Sequence, residues 1–489
     1  MGALGRLSLG RAGAPVRREA VAPGWRALAL LVAWAFFMEN LDGTIIATAA
    51  VRMARSFAVA PVQLNVAITA YLLALGVFIP VSGWMADRFG ARAACCSAIA
   101  VFTLASATCA VTANLGQLTA ARVLQGLGGA MMVPVGRLIV LRAAEKRDII
   151  RVVAYLTWPG LVAPVLAPAV GGALVTYASW RWIFLVNIPL GALALAVALR
   201  IVPTGRPPRA PVLDWAGFVL TGVGLGAAVS GLELVTGAHV PWARTAVLLV
   251  VGAVVIAGAV VHLLRKANPL LDLRVLKVPT FVVPNRGGSL YRMAINATPF
   301  VLTLLFQQGF GWSPLRAGAV VLAVFVGNLT VKPLTTPLLQ RFGFRSVLVS
   351  AAAMAGVTLV LCATFSPTTP VLAVLVVLVA SGAFRSIGFT AYNTIVFADI
   401  PSDEMSNANT LSSTVQRLTA GLGVAVGALA LRAGAPTEEL FGLSARGVRP
   451  YSAAFVLLAL MCFVAAFEAA RLEPAAGAEL AMRTAGGRR

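Results

Sequence analysis

Fourteen apolar stretches recur along this chain, each about the 20 residues a helix needs to cross the hydrocarbon core of a bilayer. They lie at 27–49, 62–82, 93–112, 116–136, 152–175, 183–201, 215–234, 245–264, 282–307, 317–338, 346–365, 371–398, 408–431 and 451–470. The segments between them are too short to clothe such runs in water. Of 489 residues, 59% are hydrophobic and only 11% charged, whereas a soluble domain carries roughly a quarter. The same hydrophobicity excludes a disordered chain. The expected class is an all-α integral membrane protein.

The formal net charge is +22. In a soluble protein that excess would point to nucleic acid. Here the basic residues crowd every second loop, with no interleaved aromatic surface, so no nucleic-acid partner is expected. Counted by alternate loops, roughly 25 Lys and Arg fall on the side of the termini and roughly 8 on the other. Cytoplasmic loops collect positive charge, so both termini are expected in the cytoplasm. The arginines at positions 6, 11, 17, 18 and 26 precede the first apolar run, and no small-residue cleavage site follows it, which predicts an uncleaved start. Cys95, Cys96, Cys109, Cys362 and Cys462 all sit in apolar runs without a spaced Cys/His set, so neither a disulfide framework nor a metal is expected. His239 and His262 lie near span ends, as do Trp25, Trp34, Trp84, Trp180, Trp182, Trp242 and Trp312, which reads as an interfacial belt. No phosphate-cradling glycine loop appears, so ATP is not the expected energy source.

Two polar interruptions organise the chain. Residues 203–214 are rich in Pro and Arg and cannot continue a helix, and 265–280 is the longest polar break. They divide the chain into a cytoplasmic tail (1–26), six spans (27–202), a linker with two inserted spans (203–281), six further spans (282–471) and a second cytoplasmic tail (472–489). Glu233, at the end of an inserted span, is expected to face a loop. An internal repeat supports this division. Pro80, Arg88, Phe89, Gly90 and Arg92 are answered by Pro333, Arg341, Phe342, Gly343 and Arg345 at one constant offset, with Gln340 in place of Asp87. Weak parallel symmetry of this kind marks transporters built from two like-oriented halves.

These motifs resemble the major facilitator superfamily, and more narrowly its fourteen-span drug:proton antiporter branch. The loop Gly83-Trp-Met-Ala-Asp87-Arg88-Phe-Gly90-Ala-Arg92 is similar to the family's motif between spans two and three. Arg122, Gln125, Gly126 and Gly129 are similar to its span-four motif. Pro164, Pro168, Gly171 and Gly172 are similar to the span-five antiporter motif, from which Ala167 and the displaced Gly160 depart. Leu41-Asp42-Gly43-Thr44 and the run Trp180 to Phe184 with Asn187 and Pro189 resemble the fourteen-span branch. The resemblance implies a major facilitator fold of about 14 transmembrane helices, as two pseudo-symmetric six-helix bundles plus two inserted helices. It also implies a multi-pass protein of the inner membrane, without a cofactor and driven by the proton gradient. A periplasmic adaptor protein and an outer-membrane channel are the macromolecular partners such an exporter could engage.

Charges inside a bilayer cost about 2.5–3.5 kcal/mol each on insertion scales and so require a reason. Glu39 and Asp42 are three apart and share a face of the first helix. Burial and like charge both favour their protonated forms. Asp42, assisted by Glu39, is therefore the expected proton carrier; the alternative is that Asp42 is an acceptor pinning its helix to a neighbour. Arg122, at comparable depth, is the expected counter-ion, with Gln125 as its hydrogen-bonding neighbour. Gly83, Asp87, Arg88, Gly90 and Arg92 are expected to form a conformational latch, engaged in one state only. Pro164, Pro168, Gly171 and Gly172 predict a bent helix packed against the opposite half. Arg292, Arg385 and Arg417 are unbalanced cavity charges, since Glu468 is the one acid read within the later spans. Arg292 and Arg385 either pair across the cavity with Glu39 and Asp42, the favoured expectation, or face an anionic substrate. Lys332 lies close enough to the cytoplasm to snorkel.

The expected function is proton-coupled efflux of hydrophobic or amphipathic small molecules. Coupled or facilitated uptake of a metabolite is the alternative within transport. An intramembrane enzyme or a sensor of the same fold is the alternative outside it.

Overall fold

The computed structural model describes residues 24–59, 61–205, 212–236, 240–401, 404–434 and 449–481. Arg6, Arg11, Arg17 and Arg18, residues 206–211 of the Pro- and Arg-rich hinge, His239 and the last eight residues lie outside them. Every described element is helical. In order they are α1 (Trp25–Phe57), α2 (Asn65–Phe78), α3 (Val81–Phe89), α4 (Ala91–Val111), α5 (Leu115–Ala143), α6 (Ile149–Tyr177), α7 (Trp182–Leu185) and α8 (Asn187–Ile201). There follow α9 (Trp215–Thr236), α10 (Trp242–Arg265), α11 (Pro279–Leu304), α12 (Pro314–Thr330), α13 (Lys332–Ala363), α14 (Val371–Ile395), α15 (Met405–Gly434), α16 (Arg449–Ala470) and the single turn α17 (Ala478–Ala481). Among the described residues, 11 helices are long and apolar enough to cross a membrane, or 12 if the bent pair α2 and α3 is one span.

Local chemistry explains several boundaries. The Asn114 side chain accepts from Gln117 N at 2.9 Å and starts α5. Ser313 does the same for α12, ahead of Pro314, whose fixed φ suits a first helical turn. Pro80 separates α2 from α3, which bend by 58°.

The repeat read in the sequence has a backbone signature. Gly90 lies at φ 88°, ψ 143° between α3 and α4. Gly343 lies at φ 75°, ψ 166° and kinks α13 into two helices. Both conformations belong to a region that essentially only glycine occupies. Each glycine closes the same succession of an apolar helix, a short amphipathic turn opened by Pro80 or Pro333, and a second apolar helix.

Helices α1–α8 pack on one another, as do α11–α16, with α1 against α6 and α13 against α16 among the most extensive contacts. Small residues allow close crossings. A Cβ on Gly126 would lie 2.7 Å from the Tyr71 carbonyl oxygen. A Cβ on Gly327 or Gly382 would collide with the backbone of the other's helix, so α12 and α14 cross through these two residues. The inserted pair α9 and α10 is not a remote appendage: α9 packs on both α2 and α15 and so spans the seam between the groups. Glu233 accepts a hydrogen bond from Thr69 of α2, so it ties α9 to the N-terminal group instead of facing a loop.

Candidate functional site

Asp42 sits at the centre of a polar network lying wholly within the N-terminal group. Its Oδ2 accepts from Arg122 Nη1 at 2.5 Å, and its Oδ1 accepts from Gln125 Nε2 and Asn187 Nδ2, each at 2.9 Å. Arg122 also donates to Gln125 Oε1 at 2.8 Å, and its guanidinium lies 4.0 Å from the centre of the Tyr71 ring. Ser106 Oγ accepts from Asn187 and Gln125 and donates to the Phe184 carbonyl. The helices α1, α4, α5 and α8 are thereby tied through side chains that water does not reach: Asp42 and Arg122 are both 0% exposed. A polar group in an apolar span is costly unless hydrogen-bonded; both Asp42 oxygens are satisfied here, while Arg122 Nε and Nη2 and Asn187 Oδ1 find no partner among the described residues.

Glu39, one turn away, faces elsewhere. Its Oε1 accepts from Arg417 Nη2 at 2.8 Å, and Arg417 belongs to α15 of the opposite group. Arg292 and Arg385 do not make this pairing, contrary to expectation. Arg417 reaches Glu39 because both line the cavity between the groups, whereas Asp42 is already enclosed by its own network. The cavity holds about 210 Å³. Its apolar wall includes Phe36, Leu156 and Phe389; its polar groups include Glu39, Arg137, Arg292, Asn296, Gln416 and Arg417. Arg292 is 2% exposed, and its Nε, Nη1 and Nη2 find no hydrogen-bond partner among the described residues. Arg385 is not a wall of this cavity. It lines a separate void of about 10 Å³ within the C-terminal group, beside Ser381 and Thr298. Glu468 is taken by Arg471 at 3.1 Å and Arg286 at 3.7 Å, away from the centre.

The two groups meet at the end that carries Asp87. A Cβ on Gly83 would run into Thr410 Oγ1 and lie 3.3 Å from Ser406 Oγ, so α3 rests directly on α15. Asn409 Nδ2 donates to the Pro134 carbonyl oxygen at 2.8 Å. The Arg137 guanidinium lies 5.9 Å from the centre of the Phe397 ring. Lys332 does not snorkel: it is buried and donates to Thr157 Oγ1 at 3.0 Å and Thr390 Oγ1 at 2.8 Å, bridging the groups. Asp87 accepts from Arg142 at 3.2 Å, both partly exposed, Arg92 donates to the Leu199 carbonyl, and Arg88 points to the surface. The linker joins this end too. Asp272 N donates to Asn407 Oδ1 at 2.7 Å, and Asn407 Nδ2 donates back to the Asp272 carbonyl at 2.8 Å.

The span-five motif lies in α6, which runs unbroken through Pro164 and Pro168; the side chains of these two prolines are outside the described residues. Gly171 faces α1, since a Cβ there would meet Thr48 and lie 2.7 Å from Ile45 Cγ1. At Gly171 this face of α6 packs on α1 within its own half. Elsewhere α6 also touches α12, α13 and α14 of the opposite group, and Thr157 accepts the hydrogen bond from Lys332 nearer the Asp87 end. Gly172 has open space around it.

Sequence reasoning gave no role to Asn187, Ser106, Asn409 or Arg137. Asn187 carried a signal, an amide within an apolar run that must find a partner. Arg137 fell just beyond the predicted end of its span, but α5 continues to Ala143 and carries it into the cavity wall. Among the described residues no group of three or more His, Cys, Asp or Glu could hold a metal ion.

Known proteins share both the sequence and the fold. The sequence pattern of the Major Facilitator Superfamily matches residues 32–273 and 287–481. A putative multidrug resistance protein MdtD of Serratia proteamaculans is 37% identical over 403 residues, covering 81% of this chain and 83% of that protein. The protein of the same description from Escherichia coli O6:H1 is 35% identical over 403 residues, covering 82% and 85%. Among solved structures, the proton:xylose symporter XylE superposes with a TM-score of 0.61 at 14% identity, covering 91% of this chain and 94% of that one. The human organic anion transporter MFSD10 superposes with a TM-score of 0.59 at 15% identity, covering 91% and 100%. At such identities the likeness is one of fold. Members of this family move solutes rather than transform them, so the protein is a membrane transporter and not an enzyme, and the chain belongs to the Major Facilitator Superfamily.

Proposed function

We propose that this transporter exports amphipathic small molecules in exchange for protons, with Glu39 as the residue that carries the proton. The observation that supports it most directly is the Glu39–Arg417 ion pair across the cavity. A carboxylate facing the substrate space can take up a proton from whichever side the cavity opens to. Protonation removes the charge that holds Arg417, and with it one of the ties between the halves. A contact made in one state and absent in the other biases the equilibrium between them. Asp42, in this reading, is the enclosed acceptor that pins α1 to α4, α5 and α8, and Arg122 is its fixed counter-ion.

The architecture we infer has fourteen crossings, two bundles over 27–202 and 282–471 with the inserted pair between them, and both termini in the cytoplasm of a bacterial inner membrane. The Asp87 end is then cytoplasmic, and the contacts at Gly83, Asn409 and Lys332 describe a conformation closed on that side. The MdtD relatives, described as multidrug resistance proteins, favour export over uptake. The reading extends to a periplasmic adaptor protein and an outer-membrane channel, which crosslinking and co-purification of the full chain would reveal.

The test is reconstitution in liposomes with a pH-sensitive dye inside and substrate gradients from a broad panel of drugs. Proton movement opposite to a substrate is expected, lost in Glu39→Gln. Asp42→Asn should lower thermal stability as well as flux. Coupled flux unchanged in Glu39→Gln would overturn the assignment of the proton carrier, and substrate and proton moving together would favour uptake.

A further inference from the structure

Three guanidinium groups, from Arg137, Arg292 and Arg417, line the central cavity against one carboxylate, Glu39. Arg417 is neutralised by Glu39 at 2.8 Å. The Arg137 guanidinium lies 5.9 Å from the centre of the Phe397 ring, which offers no formal charge. Arg292 is the most exacting of the three. It is 2% exposed, it lies in the cavity wall, and none of its three side-chain nitrogens has a hydrogen-bond partner among the described residues. Arginine does not discharge by losing its proton, and a buried, unpaired cation is strongly destabilising. Its five donors in a planar fork match a carboxylate, sulfonate or phosphate group. Asn296 and Gln416 add neutral polar groups on the same walls, while Phe36, Leu156 and Phe389 supply an apolar surface for the rest of a ligand.

We propose that this cavity binds organic anions, with Arg292 as the principal anchor, Arg137 as a second positive wall, and the apolar side chains holding the ligand's hydrophobic body. The proposal rests on the export reading only for the direction of movement. It also predicts how the anion interacts with the proton site. Ionised Glu39 repels the ligand and retains Arg417. Protonation of Glu39 removes the repulsion and frees a third guanidinium, so anion and proton favour each other's binding. A monoanion bound together with the proton moves as an electroneutral pair, so exchange for protons at Glu39 applies to the uncharged and cationic substrates of this cavity.

Binding can be tested apart from transport. Purified protein in phosphatidylcholine nanodiscs is titrated calorimetrically with 2-naphthalenesulfonate, the matching neutral sulfonamide, and 2-naphthylmethylammonium, which share one ring system and differ in charge. The sulfonate should bind roughly tenfold more tightly than either analogue. Arg292→Gln should abolish that preference while leaving sulfonamide binding in place, and it should fold, because the replaced side chain makes no hydrogen bond in the described structure. Arg137→Gln should reduce the preference less, and Glu39→Gln should tighten sulfonate binding several-fold, which a purely structural role for these residues would not produce. Equal affinity for the three probes, stronger binding of the amine, or an undiminished preference in Arg292→Gln would overturn the proposal. So would loss of sulfonate binding when phosphatidylglycerol is added to the discs, which would assign the arginines to a lipid headgroup. Sulfonate binding without flux of any compound would count against export and leave the anion site standing.

Discussion

Arg417 Nη2 and Glu39 Oε1 lie 2.8 Å apart, joining residues 378 positions apart in the chain and helices of opposite halves. The Glu39 side chain is 7% exposed and that of Arg417 33%. Removing one partner of such a pair costs more than the pair itself is worth, because the other charge is stranded. Arg417→Gln should therefore be more damaging than Glu39→Gln, since it leaves the more deeply buried group unpaired. The double substitution should recover part of the loss. With Arg417 a third exposed, a coupling of about 1–2 kcal/mol is expected from the cycle of thermal or denaturant melts. Strict additivity of the two single changes would show that the pair contributes nothing to the folded state.

A second relation is between Gly90 and Gly343, which share a positive-φ, extended backbone at equivalent points of the repeat. Alanine at either should cost about 1–3 kcal/mol from the backbone alone. At Gly90 the new Cβ would also lie 2.6 Å from the Gly205 carbonyl oxygen, whereas at Gly343 it would meet nothing within 4 Å. Gly90→Ala should thus lower the melting temperature clearly more than Gly343→Ala. Equal effects would mean that the contact with the segment after α8 yields without cost.

Glycines of this kind are why so much of the architecture was legible before any coordinates. Apolar runs of one length mark where helices must lie, and Pro80/Pro333 with Gly90/Gly343 mark breaks whose geometry few other residues can adopt. The pairing of Asp42 with Arg122 could be anticipated, because both are charges at similar depth, in the first and fourth spans. Which arginine meets Glu39 could not. Arg292 and Arg385, nearer the middle of their spans, were the favoured partners over Arg417, and the choice depends on how two bundles are rotated and how far they are closed. Arg137 was hidden by a boundary placed at the charge itself, although the apolar run resumes at Leu138-Ile139-Val140-Leu141 and carries the helix on. The packing of Gly171 on α1 was hidden for a related reason: a small residue reveals a close approach but not the partner.

Asp214, just before α9, shows how the inserted pair is held. Burial alone would push its carboxyl up, but Gly217 N–H, His262, Lys266 and Leu270 N–H together hold it down at about 2. A group with a lowered value in the folded protein stabilises above its unfolded value and loses that contribution as pH falls. From 3.8 to about 2 the shift corresponds to about 2 kcal/mol, complete above pH ~4 and lost between roughly 4 and 2. Asp214→Asn should accordingly be less stable than the parent at pH 5 to 7, with a gap that closes below pH 4. A gap independent of pH would mean that the carboxylate's charge is not what ties α9 to α10 and the linker.

Asn409 is the best place to ask whether the contacts at the Asp87 end set the conformation. Its side chain reaches from α15 to the Pro134 carbonyl of α5 at 2.8 Å, and it lies next to Thr410, on which Gly83 rests. A single hydrogen bond between the halves is worth about 1 kcal/mol, or about a fivefold change in the balance of two states. Asn409→Ala should therefore open this end without unfolding either bundle. A cysteine at Ser413, in a background lacking the five native cysteines, would report the opening by its rate of labelling with a membrane-impermeant thiol reagent in inside-out vesicles. The rate should rise several-fold in Asn409→Ala. It should rise further in Gly83→Val, where the added side chain separates α3 from α15. Unchanged labelling in both variants, with melting temperatures preserved, would mean that closure at this end is held by Lys332 and its two threonine partners instead.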